Sequence, residues 1–176
     1  MKIGIVSDTH MMIKNMEKTI PYLKECDLII HAGDNFTDSR YIHSMTNVGI
    51  IAVKGNCDFD AVEEEVVFEV ANKTIFLCHG DKYGVKYGTN MLEKKATEVD
   101  ADIVIFGHTH TPFREIKDGV LYINPGSTSL PRGVSYKSFV IMDIEEDDIK
   151  IEEIRIQRCI YLKKWQKTLK KLNFIK

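Results

Sequence analysis

Residues 103–110, with the sequence IVIFGHTH, place two histidines directly after a short apolar run. The run is unbroken and β-branched, which is typical of a strand buried on both faces of a sheet, and Gly107 marks its end. In an extended chain alternate side chains point the same way, so His108 and His110 can face one point or two adjacent points. Imidazole is a common metal ligand, although two histidines in an ordinary surface loop would show the same spacing. The stretch therefore predicts a buried strand with a candidate metal site at its end.

Four other apolar runs end in the same way, at residues with oxygen or imidazole groups. The runs 3–6, 28–30, 50–53 and 75–78 lead into Ser7-Asp8-Thr9-His10, His31-Ala32-Gly33-Asp34, Gly55-Asn56-Cys57-Asp58 and His79-Gly80. In α/β folds, ligands bind beyond the carboxyl ends of the strands, where several loops meet. Five such endings indicate one shared metal centre. Its candidate ligands are Asp8, His10, Asp34, Asn56, His79, His108 and His110.

The order of these motifs resembles that of the calcineurin-like metallophosphoesterases. The resemblance rests on Asp8-x-His10, Gly33-Asp34, Gly55-Asn56, His79-Gly80 and residues 107–110. Residues 124–127, with the sequence Asn-Pro-Gly-Ser, resemble the small single-domain prokaryotic phosphodiesterase branch. It implies an α/β fold of two packed mixed β-sheets flanked by helices, a four-layer α-β-β-α sandwich. It also implies phosphodiester hydrolysis by a metal-bound hydroxide at a binuclear centre.

The resemblance also implies a ligand set for each ion. One ion would be held by Asp8, His10, Asp34 and His110, and the other by Asp34, Asn56, His79 and His108. Because the set contains oxygen and nitrogen donors and no thiolate, we expect two divalent transition metal ions. Mn, Ni, Co, Fe and Zn all fit, and Mn or Ni is favoured.

As catalytic residues we expect Asn56, Cys57, Asp58 and His108. Most of the superfamily has histidine where this chain has Cys57, so the departure concerns protonation of the leaving group rather than metal binding. Asp58 either orients a ligating histidine or caps the segment that follows it.

The remaining sequence predicts alternating strands and helices. We expect strands at 2–7, 27–31, 49–53, 66–70, 73–78, 103–106, 113–117, 120–124, 137–143 and 149–156, and helices at 14–25, 38–46, 89–99 and 158–173. Pro21 weakens the first helix, and Asp8 could instead cap its start. The loop 80–88 carries Lys82, Tyr83, Lys86 and Tyr87, which either hold a phosphate and stack on a ring or are ordinary loop residues.

Length and composition indicate one globular domain. The chain has 176 residues, 44% of them hydrophobic and 28% charged. We expect residues 1–157 to form the catalytic domain and 158–176 a basic amphipathic helix. No apolar stretch approaches the ~20 residues of a membrane span, and a ligand-bearing strand follows Met1 at once, so we expect a cytoplasmic protein. Cys26, Cys57, Cys78 and Cys159 lack C-x-x-C spacing, which favours reduced thiols.

Charge is distributed unevenly along the chain. From Arg155 onward there are eight Lys and Arg and no Asp or Glu, which leaves 24 − 8 = 16 basic against 26 acidic residues before it. An acidic body does not suggest general nucleic-acid binding, so we expect a small-molecule phosphodiester as substrate. The basic tail would dock on this body or on a second subunit of a homo-oligomer, with membrane or partner binding as the alternative. A non-catalytic metal-binding scaffold or interaction subunit on the same fold is the alternative function, although the filled ligand positions favour catalysis.

Overall fold

Two mixed five-stranded sheets form the centre of the computed structural model, which describes residues 1–145 and 148–156. The first sheet contains β1 (Lys2–Val6), β2 (Leu28–His31), β3 (Ile50–Ala52), β9 (Lys137–Glu145) and β10 (Asp148–Ile156), in the order β10-β9-β1-β2-β3. The second contains β4 (Glu65–Val70), β5 (Lys73–Cys78), β6 (Ile103–Ile105), β7 (Pro112–Lys117) and β8 (Val120–Pro125), in the order β4-β5-β6-β8-β7. The predicted strands are thus confirmed, with bounds that differ by one or two residues.

The parallel strands are adjacent to one another in each sheet: they form one side of the first sheet, with β3 at its edge, and the middle of the second sheet. β1 pairs in parallel with β2, with Ile5 opposite Ile30, and β2 pairs in parallel with β3. In the second sheet β5, β6 and β8 are parallel to one another. The antiparallel strands β9, β10, β4 and β7 lie on the outside of these parallel groups. All carboxyl ends within a parallel group therefore lie at one edge of their sheet.

Successive side chains along each strand point to opposite faces of the sheets, and three buried apolar layers result. Ile103 and Ile105 of β6 lie in the cluster between the sheets, whereas Val104 lies in the cluster on the outer face of the second sheet. A third cluster, which includes Val6 and Ile29, lies on the outer face of the first sheet. Side chains of successive residues point to opposite faces of a strand, so a run that is apolar at every position must be covered on both sides. These layers establish the predicted α-β-β-α sandwich.

Four short helices cover the outer faces of the sheets in the described part of the chain. They are α1 (Ile13–Met16), α2 (Ile20–Leu23), α3 (Thr37–Thr46) and α4 (Asn90–Glu98). No helix within residues 1–145 and 148–156 has the length and apolar content needed to cross a membrane. The predicted helix 158–173 lies outside the described residues.

The prediction of one helix over residues 14–25 was wrong, because α1 and α2 are separate. Pro21 has no backbone N–H, so it cannot donate to the carbonyl of Glu17 as a continuous helix would require. It lies in the first turn of α2, where a backbone N–H has no partner within the helix. The hydroxyl of Thr19 donates to the carbonyl of Met16 at 2.7 Å, which further favours the end of α1 at Met16.

Candidate metal centre

The seven predicted ligands lie at the carboxyl ends of the parallel strands. Asp8, His10, Asp34 and Asn56 follow β1, β2 and β3 of the first sheet, whereas His79, His108 and His110 follow β5 and β6 of the second. The two sets meet where the edges of the sheets meet: His10 Nε2 lies 3.3 Å from His110 Nε2, although the residues are far apart in the chain. Both sheets therefore contribute residues to the site.

Gly107 allows the two sheets to approach each other at this point. A Cβ atom placed on it would lie 2.0 Å from Ser7 Oγ and 2.9 Å from the carbonyl oxygen of Ala32. Ser7 and Ala32 belong to the loops of the first sheet, so the backbone before His108 contacts these loops directly. No side chain would fit in this space, which explains the glycine.

Four of the predicted ligands form one tight group. Asp8, His10, Asp34 and His110 each offer an atom, and these atoms lie within 4.8 Å of one another. His110 Nε2 is 3.1 Å from Asp8 Oδ1, and His10 Nε2 is 3.6 Å from Asp34 Oδ2. This group is the ligand set expected for one of the two ions.

The protein holds the imidazole rings so that their free nitrogen atoms face carboxylates. His110 Nδ1 donates to the carbonyl of Leu130 at 2.6 Å, and His79 Nδ1 donates to that of Ala32 at 2.7 Å. In a neutral imidazole the remaining Nε2 is then an acceptor. His79 Nε2 lies 3.3 Å from Asp34 Oδ1, which is also an acceptor. Two facing acceptors are unfavourable unless a proton on the imidazole or a metal ion lies between them.

The buried atoms left without a hydrogen bond support the same conclusion. Asp8 Oδ2 accepts hydrogen bonds from Ser7 Oγ at 2.6 Å and from the His108 N–H at 3.2 Å. Its other oxygen, Oδ1, and His79 Nε2 have no partner with hydrogen-bond geometry among the described residues. Buried polar atoms are rarely left unpaired. These two atoms and the donor types around them fit a divalent metal ion.

Asp34 lies between two groups of ligands. Its Oδ2 faces His10, whereas its Oδ1 faces His79 and accepts the backbone N–H of Cys57 at 3.0 Å. The ring of His108 contacts that of His79 with 5.1 Å between centroids. The amide of Asn56 is exposed and donates to Cys57 Sγ at 3.5 Å. Among the described residues, Asn56, His79 and His108 therefore do not belong to the tight group around Asp34, and the second ligand set stays a prediction.

The charges of the site shift several pKa values in the protein without metal. Burial opposes ionisation of Asp34, but the nearby His79, whose Nε2 lies 3.3 Å from Oδ1, outweighs it and holds the pKa of Asp34 well below its usual range. Burial likewise opposes the charged form of His79 and of His110, but Asp34 and Asp8 respectively outweigh it, so both pKa values are raised. Burial, followed by the nearby Asp34, raises the pKa of Cys57 to about 11, so the thiol is protonated at neutral pH.

Five of the seven candidate ligands have left-handed backbone conformations. The φ angles are +53° at Asp8, +46° at His10, +60° at Asp34, +67° at His108 and +59° at His110. Such conformations are uncommon for residues other than glycine, and strained backbone is found preferentially at functional sites. The surrounding packing therefore holds these residues in conformations that the isolated chain would avoid.

Asp58 connects two of the loops that carry ligands. Its Oδ2 accepts the N–H of Gly55 at 2.8 Å, and its Oδ1 accepts that of Phe36 at 2.7 Å. The contacts of this carboxylate are therefore with backbone amides rather than with a ligating histidine. Neither predicted alternative describes this role, which is to hold the loop after β2 against the loop after β3.

Several residues that support the candidate ligands were assigned no such role from the sequence. The hydroxyls of Ser127 and Ser129 both donate to the carbonyl of Asp8 at 2.8 Å, and Asn124 Nδ2 donates to that of Gly107 at 2.6 Å. Asn124 and Ser127 belong to residues 124–127, whose sequence resembles the small prokaryotic branch. The Leu130 carbonyl, which orients His110, has no sequence signature because every residue carries the same group.

In the loop 80–88 some side chains bind neighbouring carboxylates, whereas others could contact a substrate. Lys82 pairs with Glu64, and the hydroxyl of Tyr83 donates to Glu65. Lys86 is exposed, and its charge contributes, after burial and His79, to lowering the pKa of His108. Of the four loop residues, therefore, Lys86 and the exposed Tyr87 remain candidates for contacting a phosphate ester.

Comparisons with known proteins agree with the site. Residues 1–147 match the model of the calcineurin-like phosphoesterase superfamily domain. A probable metallophosphoesterase of Bacillus subtilis, YsnB, is 34% identical over 149 residues, which cover 84% of this chain and 86% of the relative. A phosphodiesterase of Methanocaldococcus jannaschii is 34% identical over 145 residues, covering 72% of this chain and 83% of the relative.

A solved structure shows the same architecture. It is a predicted phosphoesterase from Streptococcus pneumoniae, which superimposes with a TM-score of 0.76 at 28% sequence identity and covers 88% of both chains. The two chains therefore share the same fold.

Proposed function

This chain belongs to the calcineurin-like phosphoesterase superfamily, and from that membership we propose that it is a metal-dependent phosphodiesterase with a binuclear centre. The observation that carries the proposal is the position of Asp34. Each of its carboxylate oxygens faces a different histidine, His10 on one side and His79 on the other. A carboxylate in this position can bridge two ions.

We assign one ion to Asp8, His10, Asp34 and His110, and the other to Asp34, Asn56, His79 and His108. Such ions, when bound, supply an activated water and neutralise charge on the phosphoryl oxygens. The donor set fits Mn, Ni, Co, Fe or Zn, with Mn or Ni favoured.

The protein's own contribution is to fix the ligands before substrate arrives. The carbonyls of Ala32 and Leu130 hold His79 and His110 in the tautomer whose Nε2 is free to ligate. Cys57, next to Asp34, occupies the position from which a leaving group would be protonated. Its protonated thiol is a weaker donor than an imidazolium, so esters whose leaving groups are stable anions are the favoured substrates.

Turnover of bis(4-nitrophenyl) phosphate by the full chain tests the proposal. We expect hydrolysis that requires added Mn or Ni and is faster than that of the matching monoester. Asp34→Asn should bind neither ion firmly and should lose more than about 100-fold in rate, beyond the range for residues that only support ligands. Asp118→Asn is the matched control, because Asp118 is exposed and has a similar φ of +51° in a remote turn.

Two results would contradict the proposal in different ways. Wild-type metal content and rate in Asp34→Asn would show that the two-ion assignment is wrong. Metal retention by the wild type without turnover of any ester would instead support the non-catalytic scaffold.

A further inference from the structure

A cavity of about 650 Å³ lies beside the candidate metal centre. Its walls are α1, residues 129–132 and 135–137, and the end of β10. The volume lies within the range of sites that enclose small molecules. None of the seven candidate metal ligands lines it, so it lies outside the ligand cluster.

The cavity is cationic in a body that is acidic. No Asp or Glu is among the described residues that line it, whereas four of them are cations: Lys18, Arg132, Lys137 and Arg155. Arg155 forms an ion pair with Glu153 at 2.8 Å, which offsets its charge, and the centroid of the Tyr136 ring is 4.1 Å from its guanidinium carbon. A concentration of positive charge in a concave space attracts anions.

A buried donor in the wall provides a second, independent observation. Asn15 lines the cavity, is 7% exposed, and its amide nitrogen Nδ2 has no hydrogen-bond partner among the described residues. A buried N–H group without an acceptor is unfavourable. An anionic oxygen entering the cavity would provide that acceptor, so both charge and hydrogen bonding select the same kind of ligand.

The wall of the cavity also holds the metal centre. Leu130 accepts the hydrogen bond of His110 Nδ1 at 2.6 Å, and Ser129 donates to the carbonyl of Asp8 at 2.8 Å. The backbone N–H of Arg132 donates to the carbonyl of His110 at 3.0 Å. A ligand in the cavity is therefore separated from the metal centre only by one loop, at the same edge of the first sheet.

We propose that this cavity binds a second anionic group of the substrate while the scissile ester lies at the metal centre. The substrate class is then a phosphodiester that carries a further phosphate or carboxylate, rather than a simple monoanionic diester. This inference rests on the proposed phosphodiesterase function. It adds Arg132, Lys137 and Asn15 as specificity-determining residues.

A binding measurement tests the cavity without catalysis. Pyrophosphate is titrated by calorimetry into the full chain after metal removal, with circular dichroism to check that each protein is folded. We expect saturable binding at one site, weakened about tenfold by Arg132→Gln or Lys137→Gln, as for loss of one charge-assisted hydrogen bond. Asn15→Asp replaces the amide donor with a negative charge and should weaken pyrophosphate binding further. Lys150→Gln, at a remote and exposed lysine, is the matched control.

A kinetic measurement on the metal-loaded chain connects the cavity to the reaction. Thymidine 5′-(4-nitrophenyl) phosphate is compared with the same ester carrying a 3′-phosphate or a 3′-carboxymethyl group, which distinguishes the two anions. We expect an added anion to raise kcat/KM about tenfold in the wild type and in Lys150→Gln. Arg132→Gln and Lys137→Gln should lose this advantage.

The outcomes separate this inference from the proposed function. Equal kcat/KM for esters with and without the added anion, or an advantage that persists in Arg132→Gln and Lys137→Gln, would overturn the cavity assignment while leaving the phosphodiesterase intact. Hydrolysis of none of the esters would reject the proposed function, and pyrophosphate binding that is unaffected by the variants would reject the cavity alone.

Discussion

Replacing Gly107 with alanine should disturb the metal centre from a position that bears no ligand. The added methyl group would lie 2.0 Å from Ser7 Oγ, 2.9 Å from the Ala32 carbonyl oxygen and 2.9 Å from Asp8 Oδ2. The residue cannot move away freely, because its N–H donates to the carbonyl of His79 and its own carbonyl accepts from Asn124. The two sheets must therefore separate locally to admit the methyl group.

The size of the effect follows from these contacts. An ordinary contact of 3.4 Å with the Ala32 carbonyl requires a movement of about 0.5 Å, and relief of the Ser7 contact requires more. Metal ligation tolerates deviations of about 0.2 Å, so His108 and His110 would no longer match ligands on the first sheet. Overpacking of this kind costs about 2 kcal/mol of folding free energy.

Urea unfolding and metal analysis measure the two consequences separately. We expect Gly107→Ala to lower the unfolding midpoint by about 1 M urea and to retain little metal after dialysis. Gly49→Ala is the matched control, since a Cβ there has no atom within 4 Å and its φ is not positive. Its free energy of unfolding should change by no more than about 0.5 kcal/mol. Equal midpoints and equal metal content in the two variants would refute the reasoning that contact at Gly107 sets the ligand positions.

Three further predictions concern the metal, the leaving group and the tail. Chelation should lower the melting temperature, because a ligand at 100 times its Kd stabilises the folded state by about 2.7 kcal/mol, and an unchanged melting curve would argue against bound metal. Cys57→His should accelerate the hydrolysis of alkyl esters selectively, by up to ~100-fold, because imidazolium is the better proton donor. Cys57→Ala should keep the rate on aryl esters. Rates on matched aryl and alkyl substrates measure both effects. Truncation after Gln157 should preserve the metal content and change the solubility or the oligomeric state, which light scattering measures. Loss of metal from a folded truncated protein would contradict this prediction.

The strands, and the positions of the candidate ligands at their ends, were predictable because they depend on local composition. A run such as Ile103–Ile105 is apolar at every position, which only burial on both faces satisfies, and His108 and His110 follow its end directly. Parallel pairing then brings such ends together without any information about side-chain contacts. The fold and the convergence of the ligands therefore follow from patterns that a single sequence contains.

Contacts between distant segments were not predictable in the same way. Asp58 binds the N–H of Phe36, and Tyr83 binds Glu65, and each contact depends on how two loops lie in space. The break near Pro21 was visible in the sequence, but the apolar spacing of residues 16–23 favoured one helix more strongly than a single proline opposed it. In these cases tertiary packing, rather than local preference, decided the structure.

The position of β1 between β2 and β9 has a consequence for biosynthesis. Gly4 of β1 pairs with Ile141 of β9, so one neighbour of this strand is translated long after the strand itself. Contacts between such distant residues slow folding, and nascent chains expose unpaired edges until the missing strand arrives. Asp8 and His10, which follow β1, gain their final support only after the ribosome has delivered β9. The edge of the first sheet that carries Asp8 and His10 is therefore completed late in synthesis, and one edge of β1 stays unpaired until β9 is available.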